Sequence, residues 1–569
     1  MKKKLLLLLL LCGLTAQKSI AQAPKWVEKA KRAVFSVITY DADDKMMNTG
    51  NGFFVAEDGT ALSDYGLFKG AKRAVAINSE GTQMPVEYIL GANELYDVVK
   101  FRVAITGKKV AALTVAPTPV ETGTQVYLLP YSTQKDRTYT AGTVKETDKI
   151  ESTYTYYTLS LPLKDKMVSC PVMNADGQVL GLAQKASGKD TTSICYAVAA
   201  DYAVAQQITA LSFSDRTLLD IGIKKALPDT EEQALVYLYM TSSKLTSEEY
   251  MALLDQMLTQ YPHSSDSYMR RATTQLYISQ EPASMEKVEA DMNKALDEAA
   301  KKDDVYYNRA KMIYGYCLEH KDAEPYKDWN YDRALEEVRK ALAIEELPLY
   351  TQLEGDILFA KQDYAGALAC YEKLNTTNLA SAATFFSAAK TKELMKAPSE
   401  EVLALMDSCV NFFVKPYGAQ AAPYLLERAQ VRMNADQARG AMQDYDDYFA
   451  AVGGQVNDLF YYYREQAGLK SRQYQRALDD IAKAIELNPN ELTYRAEQAV
   501  VNIRVGRYEE AVKQLHDALA IDASYSEAYR LMGIAQVQLK QSKEACESFA
   551  KAKELGDPNV DALIEKHCK

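Results

Sequence analysis

The strongest constraint on the fold is an internal repeat near the carboxyl end of the chain. Ala477, Ala511 and Ala545 are spaced by 34 residues, and each is followed by another alanine seven residues later. Two residues seven positions apart lie on the same face of a helix. Small side chains on that face let two helices approach closely. A unit of this length cannot bury its apolar face alone. The sequence therefore predicts a stack of antiparallel helix pairs.

The repeats resemble the tetratricopeptide repeat in their period and in their residue types. Looser copies precede the three clear ones, and the pattern predicts roughly eight or nine units over residues 230–569, clearest at 457–558. The resemblance implies an all-α superhelix whose concave face holds a peptide or a partner helix. The side chains expected on that face are Tyr462, Gln466, Thr493, Glu527 and Arg530. For each of them the alternative is an ordinary solvated position.

Residues 24–210 have a different pattern, which is typical of β-strands. Short apolar or alternating runs, such as Val34–Tyr40 and Val98–Val103, lie between Gly, Asp, Asn and Pro residues. Regular short strands of this kind indicate an all-β barrel or sandwich, and the length suits two small barrels. Residues 211–229 are expected to form a linker to the helical repeats.

Three segments of this β region occur in a telling order. Gly50–Ala71, Leu95–Val103 and Lys166–Leu182 resemble the first catalytic segment, the Asp-bearing strand and the nucleophile loop of HtrA-type trypsin-like serine proteases. The resemblance covers about a third of the chain. It implies a trypsin-like double barrel, so the predicted protein is multidomain, with this barrel pair preceding the all-α repeat array.

The same resemblance implies a degenerate catalytic site. The position of the general-base His is Gly66, the orienting Asp is retained as Asp97, and the position of the nucleophilic Ser is Val168. No histidine precedes His263 in the sequence. Because the Ser-His-Asp mechanism needs an imidazole to accept the proton of the nucleophile, we expect no catalytic residues and an inactive domain, a pseudoprotease.

A hydrolase with non-standard residues is the alternative interpretation. Ser169 lies one position from the expected nucleophile, and Lys164 or Lys166 could serve as its base. Cys170 is a further candidate nucleophile, although a reactive thiolate normally has a cation or a histidine beside it.

The cysteines and histidines give no sign of a metal site. Seven cysteines follow Cys12, none at metal-ligand spacing, and His516 and His567 have no partnered ligands in the sequence. We expect no metal and no cofactor. The protease resemblance places Cys170 and Cys195 on adjacent segments, which implies either a disulfide or two buried free thiols.

The first 21 residues have the features of a secretory signal peptide. Three lysines precede the apolar run Leu5–Leu11, and cleavage is expected after Ala16 or Ala21. The prediction is an exported bacterial protein of the periplasm or cell envelope. A lipoprotein attached through Cys12 is the alternative.

Composition limits the class of partner. The formal net charge is -11 and no basic stripe is present, which argues against nucleic acid. No transmembrane segment is expected after signal cleavage. The sequence therefore predicts a non-catalytic scaffold in the cell envelope, which binds proteins or peptides through the concave face of its repeats.

Overall fold

The computed structural model describes residues 24–107, 109–133, 139–185, 193–322 and 324–568. The predicted signal peptide, with Cys12 and both candidate cleavage sites, lies outside the described residues. The chain divides into two compact units, with the boundary between Glu298 and Ala299. The first contains the β-strands and four of the long helices, and the second is all-helical.

Two closed, six-stranded antiparallel barrels form most of the first unit. The first barrel has the order β1-β2-β3-β6-β5-β4 and the second β10-β11-β12-β9-β8-β7. The strands of the first barrel are β1 Val34–Tyr40, β2 Met46–Phe54, β3 Thr60–Ser63, β4 Arg73–Ile77, β5 Gln83–Asn93 and β6 Val98–Val103. Those of the second are β7 Gln125–Leu128, β8 Thr140–Ile150, β9 Tyr154–Leu159, β10 Pro171–Met173, β11 Val179–Gln184 and β12 Cys195–Ala199. This arrangement confirms the predicted double barrel.

Each barrel closes around its own apolar core. Phe35, Phe54 and Phe101 fill the first, and the rings of Phe35 and Phe54 lie 4.5 Å apart between centroids. Phe53 and Leu62 belong to first-barrel strands but pack in the core of the second barrel. Side chains therefore alternate between the two sides of the strands, as a period of two residues requires. The shared packing fixes the cleft between the barrels.

Short helices accompany the barrels: α1 Val27–Ala30, α2 Tyr65–Phe68, α3 Ala200–Ala205 and α4 Arg216–Leu219. The segment 211–229, expected to be a linker, is packed on the first barrel. Leu218, Ile221 and Ile223 are buried in its core, and Ile89 of β5 exchanges backbone hydrogen bonds with the segment. The segment packs on the barrel because burying these three apolar side chains is favourable in free energy, whereas a solvated linker would leave them in water.

The remaining helices follow as antiparallel pairs, with a single short helix at the end. In the first unit they are α5 Glu231–Ser242, α6 Ser247–Gln260, α7 Ser265–Ile278 and α8 Pro282–Glu298. In the second unit they are α9 Asp303–Glu319, α10 Tyr331–Ile344, α11 Pro348–Ala360, α12 Tyr364–Leu374, α13 Ala382–Leu394, α14 Ser399–Val410, α15 Ala422–Asn434, α16 Ala438–Ala451, α17 Asp458–Lys470, α18 Tyr474–Leu487, α19 Leu492–Arg504, α20 Tyr508–Ile521, α21 Ser526–Gln538, α22 Ser542–Glu554 and α23 Asp561–His567.

The repeated alanines lie where the sequence pattern predicts. Ala477, Ala511 and Ala545 on the second helices of the last three pairs are fully buried. At the first-helix position twelve residues earlier, a Cβ on Gly533 would lie 2.4 Å from the ring of Phe549. Only a small residue fits at such a contact. The period of 34 residues is thus confirmed as helix-pair packing.

Largely buried arginines form salt bridges that link neighbouring helix pairs. Arg428 on α15 binds Asp444 of α16 at 2.6 Å and Asp407 of α14 at 3.0 Å. Arg464 on α17 repeats this arrangement with Asp480 of α18 at 2.6 Å and Asp446 of α16 at 3.3 Å. Each arginine thereby bridges its own pair and the preceding one.

The cysteines differ from the pairing considered in the sequence. Cys170 and Cys195 are free, buried thiols, so the structure has the second of the two alternatives and not the disulfide. Both side chains are enclosed in the core of the second barrel. A disulfide instead joins Cys546 of α22 to Cys568 after α23, and it ties the last helix to the array. Nothing in the spacing of these two cysteines distinguished them from the buried thiols.

Candidate functional site

The structure brings Gly66 and Asp97 together in the cleft between the barrels. Asp64 caps α2 by accepting a hydrogen bond from the Leu67 N–H at 3.0 Å, and this places Gly66 in the first turn. The Gly66 N–H donates to Asp97 Oδ1 at 2.7 Å. A Cβ on Gly66 would lie 3.5 Å from that oxygen, with no other side chain within 4 Å. The acid therefore lies beside the position expected for the base, but no base is present.

Val168 lies in a tight turn in which its own N–H group and those of the next two residues are hydrogen-bonded within the protein. Residues 165–167 form a single 3₁₀ turn. The N–H groups of Val168, Ser169 and Cys170 donate to the carbonyls of Asp165, Ala183 and Met167 at 3.4, 2.8 and 3.3 Å. An oxyanion hole needs backbone donors that point at the developing negative charge. In this turn those three donors are already hydrogen-bonded to backbone carbonyls.

Ser169 is buried and bonded to a second carboxyl group. Its side chain is enclosed, its backbone φ is +62°, and its hydroxyl donates to Asp64 Oδ2. Burial raises the pKa of Asp64 to about 6; the Ser169 hydrogen bond opposes this shift, and the charge of Asp97 adds to it. The hydroxyl that could have attacked a substrate is thus held inside the protein.

The thiol of Cys170 is equally inaccessible. Its side chain is fully buried. Burial raises the pKa of the thiol far above its ordinary value, and the neighbouring Cys195 raises it further. A thiol in these surroundings stays protonated, and a thiol is a poor nucleophile compared with a thiolate.

Asn51 organises this turn, and the sequence reasoning missed it. From β2 of the first barrel its side-chain amide donates to the Val168 carbonyl at 2.7 Å and to the Lys166 carbonyl at 3.0 Å. Its oxygen accepts from the Tyr131 N–H at 2.9 Å. The available signal was a polar residue between two glycines, directly before the apolar pair Phe53 and Phe54.

The five expected groove residues all lie on the first helices of the last three pairs. Tyr462 and Gln466 are on α17, Thr493 is on α19, and Glu527 and Arg530 are on α21. Thr493 is exposed and the other four are half-buried. Arg530 pairs with Glu527 at 2.6 Å and with Asp557 at 3.0 Å, so its charge is balanced within the array.

Glu465, a neighbour of the expected groove residues in sequence, is a residue that the sequence reasoning missed. It stands twelve residues before Ala477, at the position of Ala499 and Gly533 in the following two pairs. Its side chain is fully buried. The sequence signal was this single large acidic residue at a position where the other clear repeats have a small one.

The histidines show no metal arrangement. His516 is exposed, and His567 stacks beside Phe549 with ring centroids 6.4 Å apart. Within the described residues no group of three or more His, Cys, Asp or Glu side chains is arranged to hold a metal ion. In the same part of the chain, no helix has the length and apolar character needed to cross a membrane.

Comparison with known proteins matches both parts of the chain. A protein-family model described as a trypsin-like peptidase domain matches residues 50–182. Small glutamine-rich tetratricopeptide repeat-containing protein 2 of Mycosarcoma maydis is 30% identical over 95 residues, which cover 17% of this chain and 27% of that protein. DnaJ homolog subfamily C member 7 of Mus musculus is 29% identical over 94 residues, which cover 16% and 19%. The chain thus spans about a quarter or less of the length of these curated relatives.

Two solved protease structures are also similar. A protease from M. tuberculosis in its active form shares 17% identity with a TM-score of 0.28, over 36% of this chain and 86% of that one. The HtrA-type protease AlgW with tripeptide shares 16% identity with a TM-score of 0.27, over 31% and 60%. From the family model, the two barrels and the repeat matches, the chain carries a trypsin-like peptidase domain in its N-terminal region, followed in sequence by an array of tetratricopeptide-type helix pairs.

Proposed function

We propose that this protein is a non-catalytic scaffold that binds protein or peptide partners through the inner face of its helical repeats. The observation that carries the proposal is the turn at residues 165–170, in which the N–H groups of Val168, Ser169 and Cys170 are hydrogen-bonded to the protein's own carbonyls. Acyl transfer needs a base, a nucleophile and oxyanion donors acting together. The cleft has an acid, Asp97, without the other parts.

The alternative, a hydrolase with unusual residues, has little support in the geometry. The hydroxyl of Ser169 is engaged with Asp64, and the thiol of Cys170 is enclosed. Neither side chain has a lysine as hydrogen-bond partner among the described residues. Both candidate nucleophiles therefore lack access to substrate and an activating base.

The proposed location is outside the cytoplasm, in the bacterial periplasm or cell envelope, with attachment through Cys12 as the alternative. The signal-like N-terminal sequence supports export. The disulfide between Cys546 and Cys568 is consistent with an oxidising compartment. The net charge of -11 speaks against nucleic acid as the partner.

One experiment with the full-length mature protein tests the proposal. The protein, a groove variant Tyr462→Ala and a cleft variant Val168→Asp are each incubated with envelope extract, and captured proteins are identified by mass spectrometry. A fluorophosphonate probe is applied to the same samples, with an active trypsin-like protease as positive control. We expect partners that Tyr462→Ala loses and Val168→Asp retains, and no covalent labelling. Labelling of the wild-type protein that disappears when Ser169 is replaced would contradict the proposal.

A further inference from the structure

The first helices of the last three pairs carry three glutamates, two of which have no lysine or arginine partner among the described residues. Glu465 lies on α17, Glu497 on α19 and Glu527 on α21. Glu527 is ion-paired with Arg530. Among the described residues, by contrast, no lysine or arginine contributes to the surroundings of Glu465 or of Glu497, whose neighbours are Gln466 and other acidic groups.

The carboxyl group of Glu465 has an oxygen without a partner. The side chain is 0% exposed, and its Oε1 has no hydrogen bond among the described residues. Its Oε2 accepts from the Gln466 amide at 2.7 Å. Burying such an oxygen without a partner is costly, commonly by about 1–3 kcal/mol, so a native structure that keeps one calls for a functional explanation.

Glu465 and Glu497 are held beside the same groove side chains. Gln466 hydrogen-bonds to both carboxyl groups. Tyr462 lies close enough that both carboxylates contribute to raising the pKa of its hydroxyl, after burial itself. The rings of Tyr462 and Tyr494 are 5.4 Å apart. The groups around Glu465 are therefore Gln466, an aromatic ring, and other carboxyls.

The arginine next to Glu465 in the sequence does not pair with the Glu465 carboxyl group. Arg464, adjacent to Glu465 in sequence, is committed to Asp480 and Asp446. Asp480 is the other acidic group that acts on Glu465, and its charge is balanced by this pair. The carboxyl groups left without a lysine or arginine partner among the described residues are consequently those of Glu465 and Glu497.

We propose that α17, α19 and α21 form a site for the basic side chain of a partner peptide, a lysine or arginine that pairs with Glu465 and Glu497. The aromatic face of Tyr462 provides a further favourable contact for the cation. This inference rests on the proposed function, because it names the chemistry of the peptide that the groove binds. A charged hydrogen bond to the free Glu465 oxygen would also remove the unsatisfied group.

A metal ion is a poorer occupant for this site. Two carboxyl groups, an amide and a phenol are available, and no set of three or more metal-ligating side chains occurs among the described residues. A divalent cation of the calcium type prefers six or more oxygen ligands. A single ammonium or guanidinium group needs only two carboxylates and a ring face.

The test uses a random 12-residue peptide library displayed on phage and selected on the full-length mature protein. The same selection is done on the double variant Glu465→Gln/Glu497→Gln. The control is Glu486→Gln, which makes the same charge change at an exposed residue of α18 that pairs with Lys483. We expect lysine or arginine to be enriched on the wild type and on the control, and the enrichment to disappear on the double variant. A chosen basic peptide should bind the double variant about tenfold more weakly or worse.

The outcomes separate this inference from the proposed function. Enrichment of peptides without basic residues would overturn the inference and leave peptide binding intact. A failure to enrich any peptide would overturn both. If Glu465→Gln lowers the melting temperature, the half-buried Glu497→Gln is used alone, with the same expectation in a weaker form.

Proton release provides a second readout. Burial raises the pKa of Glu465 to about 8, with Glu497 adding to the shift, Gln466 opposing it and Asp480 adding again. At pH 7 this carboxyl is mostly protonated before binding, and an incoming cation should ionise it. Titration calorimetry of the basic peptide in two buffers of different ionisation enthalpy should show release of up to about one proton, and none with Glu465→Gln. An equal heat in both buffers with wild type would contradict pairing with Glu465.

Discussion

The cleft between the barrels and the groove of the last three helix pairs treat buried carboxyl groups in opposite ways. In the cleft, Asp64 accepts from Ser169 and Leu67, and Asp97 accepts from Gly66. Beside the expected groove residues, Glu465 keeps an oxygen without a hydrogen-bond partner among the described residues. A polar group that is satisfied inside the protein has little to gain from a ligand, whereas an unsatisfied one gains a full hydrogen bond. From this comparison we propose a structural role for the cleft and a binding role for the groove.

The largest expected effect concerns a carboxyl group of the array that is satisfied. Arg464→Leu leaves Asp480 buried without its ion-pair partner, and we expect a loss of about 3–5 kcal/mol in the stability of the helix pair formed by α17 and α18. Amide exchange in these helices measures the loss. The double variant Arg464→Leu/Asp480→Leu should recover most of it. A loss below about 1 kcal/mol in the single variant would mean that paired and unpaired carboxyls do not differ as described.

The second prediction concerns how the stability of the protein depends on pH through Glu465. Its folded-state pKa of about 8 lies above the ordinary value, so its contribution to stability is fully present at low pH and is lost as the pH rises through about 8. Glu465→Gln removes this loss. We expect the variant to be more stable than wild type by about 2 kcal/mol at pH 9 and nearly equal at pH 5.

Amide exchange of α17 at the two pH values checks this, with Glu486→Gln as the variant of equal charge change. A pH-independent difference between Glu465→Gln and wild type would show that the raised pKa is not the cause. A variant less stable than wild type at pH 9 would mean that the carboxylate has a cationic partner in the free protein.

A smaller effect tests the cleft at Ser169. Ser169→Ala and Ser169→Gly both remove the hydrogen bond to Asp64, but only glycine tolerates the φ of +62° without cost. We expect Ser169→Ala to be less stable than Ser169→Gly by about 1 kcal/mol. Thermal unfolding of the two variants gives the difference. Equal stabilities would argue that the turn changes its backbone when the hydroxyl is absent.

The smallest expected effect is on activity. Restoring the two replaced triad residues, Gly66→His with Val168→Ser, should give no measurable peptide hydrolysis, because the N–H groups of Val168, Ser169 and Cys170 are already bonded. A fluorogenic peptide panel and a covalent serine-hydrolase probe measure it. Clear hydrolysis by the double variant would show that the turn reopens and that the cleft is less committed to structure than the comparison states.

Much of the fold was predictable because periodicity reports burial directly. The spacing of Ala477, Ala511 and Ala545 predicted the helix pairs, and alternating runs such as Val34–Tyr40 predicted strands. The packing of residues 211–229 was not predicted, because the apolar residues of this segment follow no helix or strand period that would indicate which surface they cover.

The sites were less predictable because they depend on contacts between distant residues. The sequence shows that glycine stands where the family has its histidine, at Gly66. It does not show that Asn51 hydrogen-bonds to the turn at Lys166, 115 residues later. The disulfide between Cys546 and Cys568 likewise depends on where α23 folds back. Glu465 was visible only as an exception to the repeat, and its unpaired oxygen required the packed structure.

The most direct test of the central claim is hydrogen exchange of the full-length protein with and without the basic peptides selected on it. The account predicts slower exchange in α17, α19 and α21 when peptide is bound, and unchanged exchange at residues 165–173. Protection confined to residues 165–173, with the three helices unchanged, would contradict it and would assign binding to the cleft.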